Sequence, residues 1–374
     1  MRYSVNLDIM LLDDGRWFLR DMMVIRYPYV HHISIIAALA AIVFTSLTAL
    51  AVAAGPVLPA GGVLAFSSPS DPRNEWDIML LDVRTRVIYR AGSYGWRIAL
   101  PLEWSPDGSR LAYATVSSQS DIYIYELNTG STLNLTRSFA GDRYPTWSPD
   151  GSRLLFYSDR SGQFEVYGIN PDGSDLTRMT TEEAMLPTWS PDGSQIMFTA
   201  TGRRNLYLMN ADGSSLRRIT AGPRNDRNAV WSPDGRHVAF VGLTNSGSGH
   251  FIFMIDTACM EAAPCEPYMP YPGFRFQGMP QWSPDGRYVA FVGQTAIDRS
   301  DTIFVLDSQQ DQAPRKLVDD VFYAYAERWH MWSPDSRFIV YSRRNQPGLY
   351  VVDVATGAVD KLSDRISVYP AWQP

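Results

Sequence analysis

Among the 374 residues, the side chains best suited to ligand chemistry are arginines that recur just ahead of a repeated tryptophan. Arg97, Arg275 and Arg365 stand seven residues before such a Trp, and Arg143, Arg227 and Arg328 stand four before. Aromatic residues lie among them, namely Trp96, Tyr144, Phe274, Phe276, Trp329 and Tyr369. A guanidinium grips a carboxylate with two parallel hydrogen bonds, and apolar walls exclude competing water. A ring of such groups around a concave opening predicts a site for an anionic ligand, a carboxylate-bearing peptide or glycan. A plainer alternative is also written in the composition. With 31 Arg and two Lys, arginine is the default cation of this chain, and these residues could pair with Asp142, Asp226 and Glu327 between repeats. Each such pair contributes little where exposed.

Catalytic groups are sparse. No Gly-x-Ser-x-Gly elbow occurs, and the nearest approach, Ser246-Gly247-Ser248-Gly249-His250, reads as a loop. His237, His250 and His330 are the histidines after residue 54, and they fall in three different repeats. His237 opens a strand and His330 adjoins a Trp strand, so both are expected to be structural. Convergence of the three on a metal in a central channel is the route to the alternative, enzymatic reading as a lyase or hydrolase of envelope polymers. Glu182-Glu183 and Asp319-Asp320 read as solvated loop charges. No catalytic residue, metal site or cofactor is expected.

The arginines are positioned by a repeat. Trp-Ser-Pro-Asp begins at Trp104, Trp147, Trp189, Trp231, Trp282 and Trp332, and a stub, Ala371-Trp372-Gln373-Pro374, ends the chain, giving spacings of 43, 42, 42, 51, 50 and 40. A period in the low forties with strand-like content marks a radial or solenoidal array of small sheets. Ser-Pro-Asp-Gly is a tight turn, with Pro fixing φ and Gly supplying the left-handed end. The Trp before it is a flat anchor able to bury roughly 150 to 250 Å² between neighbouring units.

Four short strands per unit follow, at 144–147, 153–158, 164–170 and 176–180 in the best-formed copy. Second strands start at Val63, Arg110, Arg153, Gln195, His237, Tyr288 and Phe338. The first unit, 63–92, lacks a Trp strand, whereas the chain end has a Trp strand and nothing after it. The expected architecture is therefore all-β: a seven-bladed β-propeller at 63–374, closed by the last strand pairing with the first blade, which leaves no large sheet edge exposed. With four antiparallel strands per blade, blade connections and second-to-third-strand loops emerge on one face. The Ser-Pro-Asp-Gly turns emerge on the other.

Ahead of the propeller, residues 1–32 form a charged N-terminal tail, 33–55 an uncharged apolar run and 56–62 a Pro/Gly/Ala linker. Twenty-three helical residues at ~1.5 Å each span a bilayer core. Arg20 and Arg26 precede the run and no positive charge follows until Arg73, which predicts a cytoplasmic N-terminus and an extracytoplasmic propeller, periplasmic or at the cell surface. Ala51-Val52-Ala53 offers a cleavage site, so a membrane anchor and a cleaved signal peptide, with secretion, both remain open. Asp8 to Asp13 repeats Asp77 to Asp82 letter for letter, with no role evident from sequence.

The only cysteines, Cys259 and Cys265, share one insertion. Outside the cell they would close a small disulfide loop, the alternative being two free thiols. The first 54 residues carry four charges of each sign, so the remainder keeps the net charge of −6. An acidic surface of this kind is no partner for nucleic acid.

The Trp-Ser-Pro-Asp-Gly repeat, the Arg143-Tyr144-Pro145 lead-in, the Ser158-Asp159-Arg160-Ser161-Gly162 loop and the Asn-x-Asp-Gly-Ser turns resemble the TolB-type, WD-repeat-like β-propeller family. The resemblance spans about 310 residues. It implies propeller modules of two kinds, a periplasmic protein that contacts an envelope lipoprotein, and domains joined to prolyl-oligopeptidase-type peptidases. The chain departs from both, with a membrane segment leading directly into seven blades and no hydrolase domain within its length. The expectation is a non-enzymatic, monomeric interaction module at the bacterial cell envelope, binding an envelope protein or an anionic peptide or glycan. An accessory role in a transport or secretion complex is a further alternative.

Overall fold

The computed structural model describes residues 9–11, 17–19, 62–69, 76–93, 98–115, 119–202, 204–243, 250–262, 264–271, 275–276, 278–294, 300–310, 312–322 and 331–374. The chain divides into two compact units, 1–53 and 54–374. In the first, Ile9–Leu11 pairs antiparallel with Trp17–Leu19. Of the duplicated hexapeptide, the described residues Ile9–Leu11 of the first copy are in a strand, and the second copy lies in Trp76–Asp82. The apolar run 33–55 and linker residues 56–61 lie outside the described residues. No helix among the described residues is long and apolar enough to cross a membrane.

The second unit is an all-β, seven-bladed propeller whose only helical element among the described residues is one 3-10 stretch, Thr257–Ala262. Blade one has the order Val368–Trp372, Val63–Pro69, Trp76–Asp82, Ile88–Ser93. Its register sets Trp372 opposite Leu64 and Val368 opposite Ser67, and the Gln373 N–H donates to the Val63 carbonyl at 2.9 Å. Blade two runs Ile98–Trp104, Arg110–Thr115, Ile122–Glu126, Thr132–Asn134. Blade three runs Asp142–Trp147, Leu154–Ser158, Glu165–Ile169, Thr177–Arg178, and blade four Ala184–Trp189, Gln195–Ala200, Asn205–Asn210, Arg217–Arg218.

Among the described residues, the last three blades depart from this four-strand order. Blade five keeps Arg227–Trp231, His237–Leu243 and His250–Asp256. Its outer edge is met by a single bridge, in which Tyr268 and Met254 exchange two backbone hydrogen bonds of 2.9 and 3.0 Å after the cysteine loop. In blade six, Arg275–Phe276 and Gln281–Trp282 both pair with Tyr288–Gln294, followed by Thr302–Asp307 and Arg315–Val318. Blade seven has Phe338–Ser342, Leu349–Asp353 and Val359–Ser363, with Trp332 bridging Ile339.

Two repeated contacts hold the blades. The second strand of each blade carries a buried aromatic, and in six blades it stacks on an aromatic of the third strand. These pairs are Tyr113–Tyr123, Phe156–Tyr167, Phe198–Tyr207, Phe240–Phe253, Phe291–Phe304 and Tyr341–Tyr350, with ring centroids 5.6 to 5.9 Å apart. Cross-strand aromatic pairs of this kind stabilise a sheet beyond their area burial. Blade one sets Phe66 opposite Met79 instead. Between blades, four of the seven repeat Trp indole N–H groups donate to the carbonyl just before the preceding blade's Trp, while those of Trp189, Trp231 and Trp282 are buried without an acceptor among the described residues. Trp104 reaches the Ala371 carbonyl, Trp147 the Glu103 carbonyl, Trp332 the Gln281 carbonyl and Trp372 the Met331 carbonyl, at 3.1 to 3.2 Å.

The turn chemistry is uniform. In blade three the Ser148 hydroxyl donates to Asp150 at 2.6 Å and accepts the Arg153 N–H at 2.9 Å. Gly151 follows at φ 68°, a conformation that costs an L side chain. The Ser148 hydroxyl, then the Ser152 N–H, hold the Asp150 carboxyl below its ordinary value.

Candidate binding face

Arg143 and Arg227 sit where their blade connections enter the inner strand. There the strand is bulged. In blade three Arg143 stands opposite Tyr157 while Thr146 stands opposite Leu155, so one extra residue is accommodated between them. Blades four, five and one repeat the shift, between Met185 and Thr188, Arg227 and Val230, and Val368 and Ala371. In all four a non-glycine residue three before the Trp adopts left-handed φ: Tyr144 at 54°, Leu186 at 56°, Asn228 at 58° and Tyr369 at 57°. Bulges re-aim side chains at the ends of strands, and a repeated, individually unfavourable φ marks a position the fold enforces.

Arg143 lies over the Phe164 ring, 5.4 Å from its centroid. Tyr144 stacks on Tyr157 at 5.4 Å, and Tyr157 meets Phe164 edge-on at 5.3 Å. The lead-in and the second-to-third-strand loop therefore form one basic, aromatic patch. Arg227 donates through Nη2 to His250 Nε2 at 3.1 Å. Arg365 is exposed in the connection before Val368. Arg275 lies on a described strand. Arg97, Arg328 and Trp329 lie outside the described residues, as do Trp96, Phe274 and His330. No ion pair or hydrogen bond joins Arg143, Arg227 and Arg365 to one another, each belonging to a different blade.

Of the acids expected to neutralise these arginines, Asp142 and Asp226 face other arginines, and Glu327 lies outside the described residues. Asp142, fully buried, takes Arg160 of the Ser-Asp-Arg loop at 2.9 and 3.0 Å. Asp226, also fully buried, has Arg224 Nε at 3.5 Å. Burial pushes the Asp226 carboxyl up, against the opposing pull of Thr220 and Arg224. Glu165 is held by Arg178, Ser161 and Gln163. Arg143 and Arg227 are left without a carboxylate partner among the described residues.

Sequence reasoning missed Arg204 and underrated His250. Burial first, then the guanidiniums of Arg227 and Arg204, hold His250 below its ordinary value. His237, by contrast, stacks on Trp282 of the next blade at 6.3 Å, a packing role. Exposed apolar tips share the face: Phe139, 90% accessible, and Ile366, 52%, both in blade connections.

The opposite face carries different features. Cys259 and Cys265 form a disulfide. A cavity of about 550 Å³ lies between the turns of blades four and five, lined by Asp192, Asp234, Arg217 and Glu261 among others. Another of about 640 Å³ lies where blades seven and one meet, lined by Trp372, Val351, Leu362 and Arg337 among others. Among the described residues no group of three His, Cys, Asp or Glu could hold a metal ion.

Seven radially arranged sheets with inter-blade Trp anchors define the class as a β-propeller. Residues 59–200 match the family described as the TolB beta propeller domain. Over 82 residues the chain is 46% identical to the Tol-Pal system protein TolB of Geobacter metallireducens. That match covers 21% of this chain and 19% of the relative, so the chain matches about a fifth of the relative's length. Two solved structures share the fold at low identity. An oligogalacturonate lyase in complex with manganese aligns at TM-score 0.62 and 16% identity, covering 84% of this chain and 86% of that one. A puromycin-hydrolyzing peptidase of Mycobacterium tuberculosis aligns at TM-score 0.63 and 13% identity, covering 83% and 52%.

Proposed function

We propose that the chain is an exported, membrane-tethered propeller that acts as a non-enzymatic interaction module at the bacterial cell envelope. In this reading the blade-connection face receives an acidic protein partner. The observation that carries it is the composition of that face: Arg143 and Arg227 lack carboxylate partners among the described residues, their neighbouring acids pair with other arginines, and Phe139 and Ile366 are exposed in connections on the same face. Guanidiniums with adjacent apolar tips are the usual composition of a protein-binding patch. The TolB relative is named as part of the Tol-Pal system, which favours an envelope setting for a chain of this repeat type. The Cys259–Cys265 disulfide and the apolar run 33–55 favour export.

Because fold alone carries no function, the lyase neighbour supports a second reading, an enzyme acting on envelope polymers with metal held in the channel. The two separate on one preparation. Full-length protein purified from its host membranes is expected to carry no stoichiometric metal, and to lose its crosslinked envelope partners on Arg143→Glu with Arg365→Glu while its thermal unfolding is unchanged. Stoichiometric metal, or an unaltered crosslinking pattern, would contradict the module reading.

A further inference from the structure

On the blade-connection face, Arg227 contacts the His250 imidazole at 3.1 Å and Arg204 of the preceding blade acts on it through its charge. Arg227 belongs to the inner strand of blade five, His250 opens that blade's third strand and Arg204 precedes the third strand of blade four. A guanidinium has no acceptor, so the 3.1 Å contact from Arg227 requires His250 Nε2 to carry a lone pair, which makes the free imidazole neutral with its proton on Nδ1.

Among the described residues, no carboxylate forms an ion pair with Arg204, Arg227 or His250. Arg224 and Asp226 lie on the adjoining connection, but Asp226 is fully buried and stands against Gly242 and Arg224. The acids of blade four's connection, Glu182 and Glu183, are exposed and form no ion pair with this group. Leu243 stands opposite His250 in register, and residues 244–249, Thr-Asn-Ser-Gly-Ser-Gly, carry no charge. Among the described residues, no ion pair neutralises Arg227 or Arg204.

We infer that Arg204, Arg227 and His250 form the seat for one carboxylate of an acidic protein segment, and that seating it draws one proton from solvent onto His250 Nε2. The inference rests on the blade-connection face being the interaction surface. As the carboxylate arrives, Arg227 exchanges the imidazole for a carboxylate oxygen, Nε2 takes up a proton, and the imidazolium becomes a further donor to the same group. The carboxylate stays ionised and no bond other than N–H forms. A protein segment is favoured over a uronate glycan because Phe139 and Ile366, exposed on the same face, offer apolar contact to side chains. The sign follows from linkage. A bound anion raises the imidazole's proton affinity, so binding tightens as pH falls and levels off once free His250 is itself protonated.

The test is calorimetric titration of the purified full-length chain with a hexaglutamate peptide at pH 6 and pH 8, in buffers of different ionisation enthalpy. Glutamate stays ionised throughout this window. The expected result is uptake of close to one proton at pH 8 and, because each proton taken up changes affinity by about a decade per pH unit, affinity several tens of fold higher at pH 6. His250→Gln should flatten that pH dependence while leaving binding measurable. Arg227→Met should weaken binding by roughly tenfold, with partial recovery in Arg227→Lys. Arg143→Met should weaken binding without changing its pH slope.

A pH slope that survives His250→Gln would overturn this inference while leaving the interaction face intact. Hexagalacturonate binding more tightly than the peptide would overturn the choice of a protein segment. Absence of binding to either at millimolar concentration would overturn both this inference and the reading of the face.

Discussion

Asp226 and Asp142 occupy equivalent places, five residues before their tryptophans, and show how one missing side chain changes a site. Blade three supplies Arg160 from its second-to-third-strand loop to the buried Asp142. Blade five has Thr-Asn-Ser-Gly-Ser-Gly in that region of its sequence, and Asp226 is left with Arg224 at 3.5 Å. A buried carboxylate that is imperfectly paired costs stability. Its raised pKa gives the sign: the group's contribution is fully present below the unfolded value of 3.8 and is lost as pH rises through the folded value. Asp226→Asn is therefore expected to unfold at higher urea than the parent at pH 7, by about 1 to 3 kcal/mol, with the difference closing towards pH 3.8. A variant less stable than the parent at pH 7 would show that Arg224 more than compensates the burial. The arginines were legible from their spacing ahead of the Trp. Their partners were not, because Arg160 reaches Asp142 across a strand pair rather than along the chain.

The repeat fixes the strands closely. Second strands begin at Val63, Arg110, Leu154, Gln195, His237, Tyr288 and Phe338, within one residue of the expectation from turn chemistry and alternation. What escaped is the stack at the middle of each blade, since an aromatic in a strand reads as generic β content until register places it opposite another. Phe156 is fully buried and stacks on Tyr167. Phe156→Ala is expected to cost about 3 to 5 kcal/mol in urea unfolding, and Phe156→Leu distinctly less. Equal costs for the two would mean that packing against Tyr167 contributes little. The fourth strand was overcounted in blade five, where the chain leaves His250–Asp256 for the cysteine loop and returns through one bridge at Tyr268. The inner-strand bulge also escaped, because the residues at left-handed φ are Tyr, Leu, Asn and Tyr rather than the glycine that usually announces it.

At the scale of the whole molecule, alternating strand direction gives the propeller two unlike faces. One carries six Ser-Pro-Asp turns and the disulfide loop, with carboxylates held below their ordinary range in Asp107, Asp150, Asp192 and Asp234 by the hydroxyls that donate to them. Those four contribute stability above 3.8 that is lost as pH falls through their folded values, the reverse of Asp226. The other face carries Arg143, Arg227, Arg204 and His250 with the tips Phe139 and Ile366. This polarity between faces could be read from the turn order before any coordinates, whereas the pairing of acids away from the arginines could not. Which of the two faces meets a partner decides the function proposed for the propeller. Photocrosslinking residues placed singly at Phe139 and Ile366, and at Leu176 and Leu216 in the turns opposite, test this directly in the native host. Adducts with extracytoplasmic proteins from the first pair alone are the predicted result; adducts from the second pair alone, or equally from both, would contradict it.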